Sequence, residues 1–298
     1  MSGQHRPDEQ TGSSARDPRE VLTRSARHPD LVIGYGASPD QVADVHLPPG
    51  RADGSTADGG ACPLALFLHG GFWRAEYGRE HTAPLAEALA DAGFVVAAPE
   101  FRRTGQPGGG WPGTFDDVAR AVDRLPGLVA RATGGLADPG RVVVAGHSAG
   151  GHLALWAAGR RRVSPTTPWY RSRGPMCAVV ALAPVADLES CFDQALGNQA
   201  AGVLMGGGPA EVDDRYRNAD PMRLLPHGVP VRLVHGTDDD RVPAQMSVDY
   251  AARAGEGGDP ATCVLVPGAG HFEVIDPLSG AWSQVLDAFT WAAEQGAG

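Results

Sequence analysis

The chain has 298 residues, 42% of them hydrophobic and 20% charged, enough to bury a sizeable core as one large domain or two small ones. Its 25 basic residues, all arginine, face 35 acidic ones, and the net charge of −10 argues against nucleic acid and anionic membranes as partners. No run reaches the ~18 apolar residues of a membrane span, and Cys62, Cys177, Cys191 and Cys263 form no C-x-x-C pair, which argues against a disulfide framework and for a cytoplasmic chain.

Residues 1–20 are polar, lack the apolar core of a secretory signal, and read as a disordered tail ahead of a single structured domain over 21–298. Ala43 to Leu47 alternates as a first strand does, and Gly50 to Gly60 is a small, polar hairpin loop. Leu64 to Leu68 is uniformly apolar and predicts a buried strand; Glu80 to Ala92 has helical spacing; Phe94 to Ala98 is a second buried strand. After the long loop around Trp111, Thr114 is placed to cap a helix running through Val118, Ala121, Val122 and Leu125. Val142 to Ala145 is the next strand. It leads through Gly146-His147-Ser148-Ala149-Gly150 into an apolar helix starting near Leu153. Further strands are predicted at Cys177 to Ala183, Val231 to Val234 and Thr262 to Val266, with helices at Pro243 to Ala254 and Trp282 to Ala293. Strands alternating with helices specify an α/β fold with a mostly parallel sheet covered on both faces. The stretch 184–225 breaks the alternation and reads as a small cap-like excursion over the active edge.

Strand, G-x-S-x-G, helix is the context of a nucleophile elbow. Gly146 and Gly150 let the backbone fold tightly, so that Ser148 Oγ stands at a helix start where amide N–H groups are free. Three other loops follow strands. His69-Gly70-Gly71-Phe72-Trp73 can present backbone donors to an oxyanion, and the expected donors are the N–H groups of Gly71, Phe72 and Ala149. His69 reads as a brace for this loop, while Phe72, Trp73 and Trp111 are candidate walls of an aromatic pocket. His235-Gly236-Thr237-Asp238-Asp239-Asp240 offers three adjacent aspartates, one of which can orient a catalytic imidazole. Gly268-Ala269-Gly270-His271 supplies that imidazole, and the order serine, aspartate, histidine matches a known hydrolase arrangement. His147 and His152 lie too close to Ser148 in sequence to aim a ring at its Oγ, and His235 reads as structural.

On these motifs the chain resembles the α/β-hydrolases from about Val21 to Ala293. Within them it resembles the kynurenine formamidase and carboxylesterase branch, close to the hormone-sensitive-lipase-like esterases. It departs from the H-G-G-G loop of the latter by carrying Phe72. The resemblance implies Ser148 as nucleophile, His271 as base and Asp239 as the orienting acid, since the acid stands four places after His235 and three before Val242-Pro243. The expected function is hydrolysis of small-acyl carboxylic esters through an acyl-enzyme on Ser148, without cofactor or metal. Arylformamidase is the alternative, and a catalytically inactive binding scaffold is the rival from another class. Phe72 should crowd acyl chains longer than about six carbons, where burial of further methylenes brings steric cost instead of gain.

Overall fold

The computed structural model describes residues 17–51 and 60–296. Residues 1–16 of the expected tail, and 52–59 of the expected Gly50 to Gly60 loop, lie outside the described residues. The last residues of the expected tail are folded: Asp17 caps a 3-10 turn over Pro18–Leu22, which buries Val21. Eight strands form one sheet. They are β1 (Leu31–Gly34), β2 (Val42–His46), β3 (Cys62–Leu68), β4 (Val95–Pro99), β5 (Ala137–His147), β6 (Met176–Leu182), β7 (Val231–Gly236) and β8 (Ala261–Val266). Their spatial order is β1-β2-β4-β3-β5-β6-β7-β8. The first two strands run antiparallel, and everything from β4 to β8 is parallel. β1 is absent from the sequence-based reading. It is a four-residue edge strand with no fully buried position and an exposed Val32, so it carries too little pattern to be seen.

The helices are α1 (Ala83–Asp91), α2 (Gly113–Ala132), α3 (Ala149–Ala158), α4 (Leu188–Asp193), α5 (Leu196–Met205), α6 (Asp213–Ala219), α7 (Gln245–Glu256) and α8 (Trp282–Glu294). The uniformly apolar strands feed two cores. In β3, Leu64, Leu66 and Leu68 pack with α2, α3 and α7, while Ala65 and Phe67 face α1 and α8. Period-2 geometry splits one apolar run between two faces, which is why parallel strands lack polar alternation. Among the described residues no helix is long and apolar enough to cross a membrane.

Thr114 does not cap α2. Pro112 occupies the cap position, and Thr114 Oγ1 instead accepts from Gly110 N–H at 3.0 Å and donates to Arg102 O at 2.6 Å. The hydroxyl therefore ties the Trp111 loop to the end of β4. The helix also continues past Leu125 and Pro126, because Val118, Val122, Leu125 and Val129 bury one continuous stripe that outweighs one missing N–H. The excursion between β6 and β7 holds α4, α5, α6 and a 3-10 turn at Pro221–Leu224.

The elbow depends on the close approach of α3 to the end of β3. A Cβ on Gly150 would sit 2.0 Å from Leu68 O, and one on Gly146 would sit 2.3 Å from Gly150 O. Backbone atoms cannot give way there, so Gly150→Ala should lower the unfolding free energy by about 3 kcal/mol or more, at or beyond the top of the usual overpacking range. Gly127→Ala, inside α2 and only 3.4 Å from the flexible end of Arg131, should stabilise by about 0.5–1 kcal/mol. Urea denaturation of both variants checks the pair; equal effects would show that the elbow is not close-packed.

Candidate active site

Ser148 ends β5 with φ 55° and ψ −118°. A non-glycine residue at this positive φ stores of order 1–3 kcal/mol of strain. The conformation is held by Ser148 N–H donating to Leu182 O at 2.9 Å, and by its carbonyl accepting from His152 N–H at 3.0 Å and Val185 N–H at 3.2 Å. Its Oγ is buried and has no hydrogen-bond partner among the described residues. The side chain is thus presented at the first turn of α3 and left uncommitted.

Of the three aspartates, the structure brings Asp239 to His271: Nδ1–H donates to Oδ2 at 2.6 Å. Asp238 is turned outward, where its carboxylate accepts from Thr237 Oγ1, and Asp240 is an exposed partner of Arg241. The Asp239 side chain is fully buried. Its Oδ1 accepts from the N–H groups of Arg241 and Val242, both at 2.8 Å, so the turn itself aims the carboxylate. Burial pushes this carboxyl up, but hydrogen bonds from His235, His271 and Val242 N–H outweigh it and hold the pKa well below the usual carboxylate range. His271 Nδ1 is committed to the acid, which leaves Nε2 as the nitrogen able to exchange a proton.

Two histidines set aside in the sequence turn out to hold this pair in place. His235 Nε2–H donates to Asp239 Oδ2 at 3.1 Å and to Val242 O at 3.0 Å, and its Nδ1 accepts from Ser247 Oγ at 2.7 Å. His147 Nε2–H donates to the backbone carbonyl of His271 at 2.9 Å, with the two rings 4.6 Å apart. The His235–Asp239 contact spans four residues within one loop, whereas His147 reaches His271 across 124 residues.

The loop after β3 is equally specific. Gly71 (φ 108°), Phe72 (φ 49°) and Trp73 (φ 57°) follow one another in the left-handed region. Gly70 lies against the elbow, where an added Cβ would be 3.2 Å from Ser148 Cβ. The N–H groups of Gly71, Phe72 and Ala149 donate to no protein acceptor among the described residues. His69 braces the loop: its ring stacks on Phe101 at 4.3 Å and reaches the Glu100 carboxylate at 2.8 Å. Trp73, a candidate pocket wall, is 1% exposed. Its indole N–H donates to His152 Nδ1 at 3.2 Å, and His152 Nε2–H donates to Ala219 O at 3.1 Å. Trp73 is therefore a strut between the loop, α3 and the excursion, not an open wall. Trp111 packs edge-on against Phe115 at 5.1 Å and Trp169 at 4.7 Å. Phe72 is half-buried, and a Cβ on Gly197 would lie 2.6 Å from its ring.

The mostly parallel sheet, with the strained serine at the end of its central strand and the helix that follows, is the α/β-hydrolase fold. Residues 47–253 match the BD-FAE family, and the chain belongs to that family. The probable isoprenylcysteine alpha-carbonyl methylesterase of Oryza sativa subsp. japonica is 26% identical over 85% of this chain and 61% of its own length. Esterase LipQ of Mycobacterium tuberculosis is 25% identical over 78% of this chain and 54% of its own. The chain thus spans between about half and three fifths of these relatives. Two solved structures share the fold. A truncated carbohydrate esterase from gut microbiota aligns with a TM-score of 0.72 at 22% identity, over 91% of this chain and 100% of that one. Esterase B from Lactobacillus rhamnosis has a TM-score of 0.72 at 20% identity, over 94% and 92%.

Burial leaves several histidines neutral. It lowers His152 to about 3; together with neighbouring His69 it lowers His81 to about 4; together with the charge of His271 it holds His147 well below the ordinary imidazole value. Above about pH 6.5 both folded and unfolded states carry these rings neutral. Below it the unfolded chain takes up protons that the folded one refuses, so stability falls as the pH drops. Each ring contributes up to about 1.4 kcal/mol per pH unit until its folded pKa is reached. Burial raises the Asp220 carboxyl to about 7, so its protonation opposes this loss below pH 7, but several rings outweigh one carboxyl: the melting temperature should fall between about pH 7 and 5, and His152→Gln, which cannot titrate, should flatten the slope. A melting temperature independent of pH across that window would contradict the neutral rings.

Proposed function

We propose that the chain hydrolyses small-acyl carboxylic esters through an acyl-enzyme on Ser148. The observation that carries this reading is the buried Asp239–His271 hydrogen bond, tied through the neighbouring His147 to an elbow serine whose Oγ has no hydrogen-bond partner among the described residues. His271 Nε2 takes the hydroxyl proton as Ser148 Oγ bonds to the ester carbonyl carbon. The oxyanion so formed is met by the N–H groups of Gly71, Phe72 and Ala149, preorganised by the glycine-rich loop and the start of α3. Collapse expels the alcohol, which leaves with the proton from His271. A water, deprotonated by the same ring, then attacks the acyl-enzyme and restores the serine. Asp239 keeps the imidazole in the Nδ1–H tautomer and balances its positive charge during both steps. The relatives described above are esterases by name, which favours esters over aryl formamides as substrates.

A short acyl limit is supported by the contact of Phe72 with Gly197. Ala195, Asn198 and Gln199 lie at φ 53°, 55° and 61° around Gly197, and each non-glycine residue there costs roughly 1–2 kcal/mol. Arg74, from the same loop as Phe72, donates to Gly197 O and to Asn198 O and fastens this turn over the ring.

Ser148→Ala should lower kcat on p-nitrophenyl acetate by about 10⁴-fold or more, and Asp239→Asn by a comparable order, while Asp240→Asn stays near the parent. Retained turnover in Ser148→Ala would remove the mechanism. A kcat/KM on N-formylkynurenine at least tenfold above that on p-nitrophenyl acetate, roughly a 1.4 kcal/mol preference, would move the assignment to arylformamidase.

Arg74→Ala should loosen the turn on Phe72. The ratio of kcat/KM for the octanoyl to the acetyl ester should then rise about tenfold, the scale of discrimination by a methylene-sized change in a pocket. If the parent already cleaves palmitoyl esters efficiently, the short-acyl limit is wrong.

A further inference from the structure

In a parallel sheet all strand starts lie at one edge, and here the elbow occupies the other. A cleft of about 620 Å³ opens at the starting edge, beside Gly140 of β5, Met176 at the head of β6 and Pro230 just before β7. Its walls carry Arg160, Arg161, Arg171 and Arg173, and no Asp or Glu. This is the reverse of the balance in a chain of net charge −10.

The four guanidinium groups are not alike. Arg160 is buried and grips Asp123 bidentately at 2.8 and 2.9 Å, while its Nε–H donates to Trp169 O at 2.8 Å. Arg171 uses the same carboxylate, Nη2 to Oδ2, at 2.8 Å. One aspartate thus serves two arginines. Among the described residues Arg161 donates only to an uncharged carbonyl, His227 O at 3.2 Å. Arg173 makes no hydrogen bond or ion pair among the described residues, and the neighbouring Ser172 hydroxyl makes none either. Asp259, behind the His227–Gly228 turn, is already engaged by both backbone N–H groups at 2.7 Å. The cleft lining therefore carries four guanidinium groups and no carboxylate, with Asp123 and Asp259 behind it offsetting part of that charge. A cleft lined by one sign of charge draws in counter-ions of the other.

We propose that this cleft binds a small anion of the phosphate class carrying two or more negative charges, at a site separate from the ester-cleaving edge. The planar forks of Arg161, Arg171 and Arg173 match the oxygens of a phosphate in pairs, and Arg160 with Asp123 fixes the floor from which the loop bearing Arg171 and Arg173 projects. The cleft has room for a diphosphate with an organic substituent, while Ser172 adds an uncharged donor at its rim.

Isothermal titration of the full chain with inorganic pyrophosphate, at constant ionic strength, tests the site. Saturable binding at one equivalent is expected. The double variant Arg161→Ala/Arg173→Ala should weaken it by at least about tenfold, because it removes two of the cleft's four charged donors. Both side chains are exposed, so the variant should keep the parent's melting temperature in the absence of anion, which separates lost binding from lost structure. Absence of saturable binding, or equal binding by parent and double variant, would overturn the site. Equally tight binding of citrate would overturn the assignment to phosphate.

Discussion

The rest of the structure depends on how closely the first turn of α3 can press against the last carbonyls of β3. Gly146 and Gly150 permit that approach, and any Cβ at either would overlap backbone atoms. Three consequences follow from this one contact. Ser148 is forced into a positive-φ conformation at the end of the central strand. Its neighbour His147 is directed sideways, where it reaches the backbone of His271. The glycine loop after β3 is drawn up against the elbow, where a Cβ on Gly70 would lie 3.2 Å from Ser148 Cβ. Residues far apart in the chain are thereby referred to a single rigid point.

A second constraint is electrostatic. Asp239 is buried without a cation of fixed charge beside it, and it is kept ionised by two imidazole N–H donors and two backbone N–H groups. A buried carboxylate satisfied in this way is a stable anchor and also a strong orienter of the ring it faces. His235 fills its own remaining valence with Ser247 on α7. The acid loop is therefore tied to the helix that follows it and does not rely on the reacting histidine for its shape.

The excursion between β6 and β7 shares the main hydrophobic core, through residues such as Leu188, Leu204 and Met205, and its backbone carbonyls add polar links. Ala219 O receives His152, Leu204 O receives the Trp111 N–H, and Gly197 and Asn198 carbonyls receive Arg74. His152 lies on α3, and Trp111 and Arg74 lie in the loops before α2 and after β3. Such links make the cover sensitive to the loops beneath it while leaving the sheet untouched. At the opposite edge, the arginine cleft is built from strand starts, the end of α3 and the turn after it, the loop before β6, and residues 227–230 just before β7.

Much of this was legible in the sequence, because the relevant signals are local. Apolar runs such as Val142 to Ala145 mark buried parallel strands, and a strand, G-x-S-x-G and a helix in succession can fold only as a tight elbow. The order of Ser148, the aspartate run and His271 is also local information, read one loop at a time. What the residues alone left open were choices among chemically identical or ambiguous groups. Asp238, Asp239 and Asp240 are the same side chain in a row, and the turn through Arg241 and Val242 decides which of them is turned inward. Trp73 could have lined a pocket or braced the core; a partner on α3, 79 residues away, settled it as a brace. Thr114 looked like a cap until the Trp111 loop claimed its hydroxyl. β1 and the roles of His147 and His235 had no local pattern at all. Periodicity and turn chemistry depend on neighbours in the chain, whereas the partner of a buried polar group depends on which distant atoms the fold brings within 3 Å or so, and that information exists only in three dimensions.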